Sequence, residues 1–221
     1  MNIARMEYFV VALSVAALFV GATGHSRSHA AEVYGHVGTE GLGIGFGQGI
    51  TDAVGFRGEA NFGSYSRSIR SDGVSYDANV RLGGVGVYGD WFAFGNGFHF
   101  TGGLTFNDKQ ASGTGRSSST TVNLNGNTYS IAGEQLVAKF EYPKVMPYIG
   151  VGWGHVPIHK GWGFVADIGL MFGKPKVSLS ATPGLAAQAG ADIEAERRLL
   201  QNDADDFRIL PMLKIGVSYR F

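Results

Sequence analysis

The sequence has no cysteine among its 221 residues. That excludes a disulfide scaffold, thiolate zinc or iron–sulfur sites, and a cysteine nucleophile. Charge is sparse and balanced: 18 Lys+Arg stand against 18 Asp+Glu, for a formal net charge of zero. A chain with no basic excess lacks the electrostatic footprint of a nucleic-acid binder, so no nucleic-acid partner is expected. Six prolines and an apolar share of 44% fit neither collagen nor a disordered tract. Beyond residue 30 no apolar run approaches the ~20 residues that a membrane-spanning helix needs. What is abundant is glycine, with 35 residues, more than twice the usual share of about 7%.

Residues 1–30 read as an address. Arg5 precedes an apolar run over 8–22, and small or polar residues follow, ending in Ser28-His29-Ala30. A basic start, a short apolar core and small residues before a cut predict a secretory signal peptide, cleaved after Ala30. The chain then divides into a signal peptide, 1–30, and a mature domain, 31–221. The mature part is expected to be exported, and to cross a membrane, if at all, without helices.

From residue 32 onward apolar residues recur at every second position, the signature of a strand with two unlike faces. Over 54–66, Val54, Phe56, Gly58, Ala60 and Phe62 alternate with Arg57, Glu59, Asn61 and Tyr65. Segments 98–107, 162–173 and 207–221 alternate as cleanly, placing His99, Asp167, Lys214 and Arg220 opposite the apolar faces. Weaker patterns cover 32–38, 42–50, 76–88 and 145–153. In 76–88, Tyr76, Ala78, Val80 and Leu82 read as the outward face, with Arg81 opposite and a bulge at Gly83-Gly84. That makes eight strands. Connections at 51–53, 93–97 and 157–161 are short, whereas those at 67–73, 108–143 and 181–206 are longer. Alternating short turns and long loops is the layout of an outer-membrane barrel, with short turns on the periplasmic side. A soluble barrel would put its charges outward; here the charge-free faces are too broad and aromatic to sit in water. Barrel closure also leaves no unpaired backbone edge to face lipid. The fold class is therefore all-β, an eight-stranded antiparallel transmembrane β-barrel with long outer loops and one short loop helix. The helix is expected over about 192–206, from the spacing of Ile193, Leu199 and Leu200. A loop hairpin is expected over about 120–131, around Asn125-Gly126.

The lumen of so narrow a barrel is just filled by side chains. Arg57, Glu59, Asn61, Tyr65, Arg81, His99, Asp167, Lys214 and Arg220 are the candidates for its polar network, as either a packed plug or a narrow solute path. The alternating glycines at 41–49 read as inward space for that network. They are not a phosphate loop, which needs a helix after its glycines. No metal or cofactor site is expected: His155 and His159 on one turn do not make a ligand set. An enzyme is not expected either. A lipid-modifying site near the outer rim would rest on His36 with Glu40, and a general base needs a positioned partner.

The stretches YPKVMPYIGVGWGHVPIHKGWGFVADIGLMFGKPKVSLS (142–180) and DIEAERRLLQNDADDFRILPMLKIGVSYRF (192–221), with LNGNTYSI (124–131), resemble the outer-membrane barrel family that includes the ornithine-uptake porin CarO. This resemblance implies an eight-stranded barrel of the OmpA-like or OmpW-like kind in a Gram-negative outer membrane. It implies contact with outer-membrane lipid and lipopolysaccharide. It also implies that Tyr219 and Phe221, closing the last strand, form the signal read by barrel-assembly machinery. The functional expectation is a narrow channel or uptake porin for small polar solutes, with basic amino acids suggested by the family. The alternative is a non-transporting barrel serving envelope structure or surface interaction.

Overall fold

The computed structural model describes residues 31–71, 74–117, 121–130, 133–155 and 160–221, without the side chains of 69–71, 74–76, 116–117 and 122. The expected signal peptide, its cut after Ala30, and His159 lie outside the described residues.

Among the described residues thirteen strands form: β1 (Ala31–Gly38), β2 (Gly41–Gly49), β3 (Val54–Phe62), β4 (Ser64–Ser71), β5 (Val74–Trp91), β6 (Phe98–Ser117), β7 (Thr121–Leu124), β8 (Asn127–Ser130), β9 (Gln135–Glu141), β10 (Val145–Trp153), β11 (Gly161–Phe172), β12 (Lys176–Ala181) and β13 (Ile209–Arg220). The helix α1 (Pro183–Ala204) precedes β13. Eight strands close a ring in the order β6-β10-β11-β13-β1-β2-β3-β5, with β5 pairing back onto β6, all antiparallel. Closure satisfies the backbone groups that an open sheet would leave at its edges.

The outward side of this ring carries a continuous apolar band. Leu42, Ile44, Phe62, Phe106, Ile149, Ile168, Leu213 and Val217 are all exposed, and Trp162 reaches 79%. Such a surface has no counterpart in a water-facing monomer. The outward run of β11, Trp162 to Phe172, fills the roughly 9–11 residues of a tilted spanning strand.

Two strands continue well past that length: β5 has 18 residues and β6 has 20. Beyond the ring β4 pairs along β5, β9 pairs along β6 and β12 along β9, giving a five-stranded extension. The connections expected as long loops are long, but strand and helix build most of them. The register of β5 on β6 runs unbroken from Val74↔Ser117 to Trp91↔Phe100, so no bulge forms at Gly83-Gly84. Polarity changes sides instead. In the ring, apolar residues face out; in the extension, Val80, Leu82, Phe140, Val177 and Leu179 lie on the face continuous with the lumen. Arg81, Lys139, Glu141 and Lys176 lie on the outer face. The expected outward placement of Ala78, Val80 and Leu82 is thereby reversed. The change falls where the outward apolar band ends, and from there the apolar residues turn inward.

Helix α1 covers part of that inward face. Pro183 supplies a first helical residue pre-set in φ, and the Ala186 amide donates to the Thr182 carbonyl at 2.9 Å. Leu185, Ala189 and Ile193 recur at four-residue spacing and pack with Leu124, Leu136, Leu179 and Ala181. The helix thus begins nine residues before the expected 192, because the alanine-rich stretch ahead of Asp192 is part of it. The hairpin β7–β8 turns at Asn125 (φ 51°) and Gly126 (φ 84°), two left-handed residues matched to a two-residue hairpin loop. It is clasped to α1 by Asp192, whose carboxylate accepts from Tyr129 OH (2.5 Å), Asn127 Nδ2 (2.8 Å) and Asn125 Nδ2 (3.0 Å). These donors hold the Asp192 carboxyl below its ordinary pKa.

Candidate functional site

The lumen is filled by three tiers of polar side chains. The first is built on Arg57 of β3, which is 3% exposed. Its Nε and Nη2 donate to Asp90 of β5 at 2.5 and 3.0 Å, in the two-pronged geometry that favours arginine with carboxylates. It also donates to Asp167 of β11 at 3.2 and 3.3 Å and to His155 Nε2 at 2.7 Å. On its other side the His155 ring meets Glu32 through Nδ1. Glu32 accepts in turn from Arg220 Nε at 3.0 Å. His99, fully buried, meets Asp167 at 3.1 Å. Thr101 donates to Asp90 at 2.7 Å.

The second tier centres on Glu59. It accepts from Tyr34 OH (3.2 Å), Tyr88 OH (3.0 Å) and Asn61 Nδ2 (3.0 Å), and it pairs with Lys214. The Lys214 ammonium lies 5.0 Å from the Tyr88 ring centre and 5.6 Å from that of Tyr148, within cation–π reach. The third tier is closed by Glu40, from the turn between β1 and β2. Its carboxylate meets Lys109 Nζ at 2.5 Å, Lys214 Nζ at 3.4 Å and Asn61 Nδ2 at 3.4 Å. Met146, Met171 and Met212 are buried beside these groups, in one cluster with Tyr88 and Tyr148.

Glycine makes the room. Gly43, Gly45 and Gly47 of β2 stand opposite His36, Tyr34 and Glu32 in register. A methyl group on Gly45 would run into the Tyr34 ring, and one on Gly47 would come within 3.0 Å of Glu32. The cavity left beside Arg57, Glu32, Asp90, His155 and Arg220 measures about 10 Å³, the space of a single water.

Of the residues singled out from sequence, Arg57, Glu59, Asn61, His99, Asp167, Lys214 and Arg220 are buried in the lumen. Tyr65 and Arg81 are not. Tyr65 keeps the inward phase of β3, but it stands on the extension, where no opposite wall covers it, and is 58% exposed. The Arg81 side chain is 55% exposed on the outer face, 3.7 Å from Asp108, because Leu82 takes the inward position. Tyr219 and Phe221 face outward at the other end, with Tyr219 edge-on to Trp162.

Sequence reasoning missed Glu32, Tyr34, Glu40, Tyr88, Asp90, Lys109, Tyr148 and His155 as lumen groups. In β1 the signal was there: Glu32, Tyr34 and His36 alternate with Val33 and Val37. His155 gave none, since it follows β10 on a turn. Gly154 (φ 102°) and His155 (φ 55°), both left-handed, return its ring to the lumen. His36 and Glu40, on which a lipid-modifying site would rest, are both buried in the lumen, with His36 3.7 Å from Glu59.

A closed eight-stranded ring, apolar outside and ion-paired inside, defines the architectural class of the outer-membrane β-barrels. Two crystal structures from Acinetobacter baumannii share it with this chain. CarO2 superposes with a TM-score of 0.60 at 24% identity, covering 89% of this chain and 100% of that one. CarO gives 0.57 at 23% identity, with 88% and 98% covered. At these identities the likeness is one of fold. No family model and no curated protein matches the chain.

Proposed function

We propose that the protein is an integral outer-membrane barrel that acts through its extension, with a lumen that is a structural plug. In this reading residues 1–30 are the export signal, and Tyr219 and Phe221 present the strand end to the assembly machinery. The extension of β4, β5, β6, β9, β12, α1 and the β7–β8 hairpin stands outside the cell, and the protein is not an enzyme. The observation that carries it is the lumen itself. Arg57, Glu59, Lys214, Lys109 and Glu40 are each buried against an opposite charge, with Arg57 meeting Asp167 and Glu59 meeting Lys214 across the barrel. A hydrated conduit would leave these charges facing solvent.

The test separates flux from surface function. Cells carrying a variant with α1 and the β7–β8 hairpin replaced by short flexible linkers should take up small polar solutes as before while surface association or envelope resistance changes. Uptake that falls with unchanged surface behaviour would overturn the reading. A second reading is supported by the charge of the lumen, which carries cationic and anionic groups at every tier. It is a gated path for small polar solutes, basic amino acids among them, opened by parting Glu40 from Lys109 and Lys214. It requires solute flux into proteoliposomes.

A further inference from the structure

Positive charge gathers where the apolar band ends. On the outward face of the extension, the rows just beyond Val85, Phe106 and Val145 carry Arg81, Lys144, Lys139 and Lys176. Register sets Arg81, Gln110, Glu141 and Lys176 in one cross-strand row, with Lys139 a pleat further on, between Ser112 and Ser178. Two carboxylates accompany the four cations. Asp108 lies between Arg81 (3.7 Å) and Lys144 (3.4 Å); Glu141 lies 2.7 Å from Lys139 and opposite Lys176. Asp77, two pleats above Arg81, accepts a bond from Ser68 at 2.6 Å. Each rim carboxylate is therefore shared by two cations, and a local excess of positive charge stands in a chain whose net charge is zero. Two of the cations stand well out from the surface: the side chain of Lys144 is 73% exposed and that of Arg81 55%.

Directly below lie Leu104, Phe106, Val145 and Ile149, exposed and apolar. A charged rim continuous with an apolar wall fits a ligand that is anionic at one end and hydrocarbon at the other. Arginine's fork and the lysine ammonium groups give charge-assisted bonds to phosphate oxygens.

We propose that this rim, Arg81, Lys139, Lys144 and Lys176, is a binding site for the phosphate groups of a phosphorylated glycolipid. Its occupant is lipid A of the outer leaflet, with acyl chains against the Phe106–Val145 wall. The proposal rests on the outer-membrane orientation given above. Phosphate on a membrane surface attracts each basic side chain near it, so four cations give a preference that charge removal should abolish.

The experiment uses protein purified from membranes in a neutral detergent, with native mass spectrometry counting bound lipid. The probes are lipid A, the same lipid with its phosphates removed, and inorganic phosphate. Lipid A should be retained about tenfold more strongly than its dephosphorylated form. The variant Arg81→Gln/Lys139→Gln/Lys144→Gln/Lys176→Gln should bind both lipids alike. A control, Arg197→Gln/Arg198→Gln on α1, should behave as wild type. Equal retention of the two lipids by wild type, unchanged preference in the fourfold variant, or full competition by inorganic phosphate would each overturn the proposal. Insertion into vesicles is scored separately by protease protection. A protein that inserts without preferring lipid A refutes only the rim site, whereas one that fails to insert refutes the membrane reading.

Discussion

Replacing Arg57 by glutamine tests whether the lumen is a dry, paired network. Arg57 serves two buried carboxylates, Asp90 at 2.5 Å and Asp167 at 3.2 Å, and donates to His155 at 2.7 Å. Glutamine keeps a polar group but removes the charge, leaving Asp90 with Thr101 and Asp167 with its histidines. Stranding one member of a buried pair costs about 3–5 kcal/mol, whereas an exposed pair is worth about 0–1 kcal/mol. Because two carboxylates lose their common partner, Arg57→Gln should lie near the top of the larger range. Adding Asp90→Asn removes one stranded charge, and the pair of substitutions should show a coupling of about 1–3 kcal/mol. Reversible urea unfolding in lipid vesicles, run on wild type, both single variants and the double variant, gives all four corners of the cycle. A loss below about 1 kcal/mol with no coupling would mean that water screens the network. The lumen would then be hydrated and the structural-plug account refuted.

Other expectations follow from the same geometry. Gly45→Ala forces a methyl group against the Tyr34 ring and should cost about 1–3 kcal/mol in the same vesicle titration. The place where polarity changes sides can be mapped with charges: Ile168→Lys in the apolar band should cost about 2–4 kcal/mol. Ser180→Lys on the outer face of the extension should fall within about 0.5 kcal/mol of wild type. The Asp192 clasp has a definite pH sign. Its carboxyl is lowered in the folded state, so its contribution is fully present above the unfolded value of about 3.9 and is lost as pH falls through the folded value. Amide exchange in β7–β8 should therefore accelerate in strong acid while the β1–β2 amides stay protected; equal change in both would contradict the clasp.

Much of this molecule was legible in its sequence, and what escaped has identifiable physical causes. Alternation survives in a one-dimensional reading because in the ring the outward face is apolar throughout and the narrow lumen face is polar, so each face has a single character. That located all eight ring strands and seven of nine proposed lumen groups. Arg81 failed because the rule assumes the same surroundings along the whole strand. Before Val85 in the chain, β5 runs in the extension, where its apolar set lies on the inward face without any shift of register. Lys109 keeps the inward phase of Asn107, but Asp108 beside it is also polar, so the alternation that marks a strand gives out there. Glu40 and His155 come from turns, where side-chain direction depends on backbone angles that residue spacing does not encode.

The central claim, that a paired network closes the lumen, is tested most directly by electrical recording. Purified protein is inserted into planar lipid bilayers in concentrated potassium chloride at neutral pH, with insertion verified independently. The account expects wild-type protein to leave the bilayer as resistive as a protein-free one. Sustained unitary conductance from the wild type, with an ion preference that changes in Lys214→Met, would contradict it.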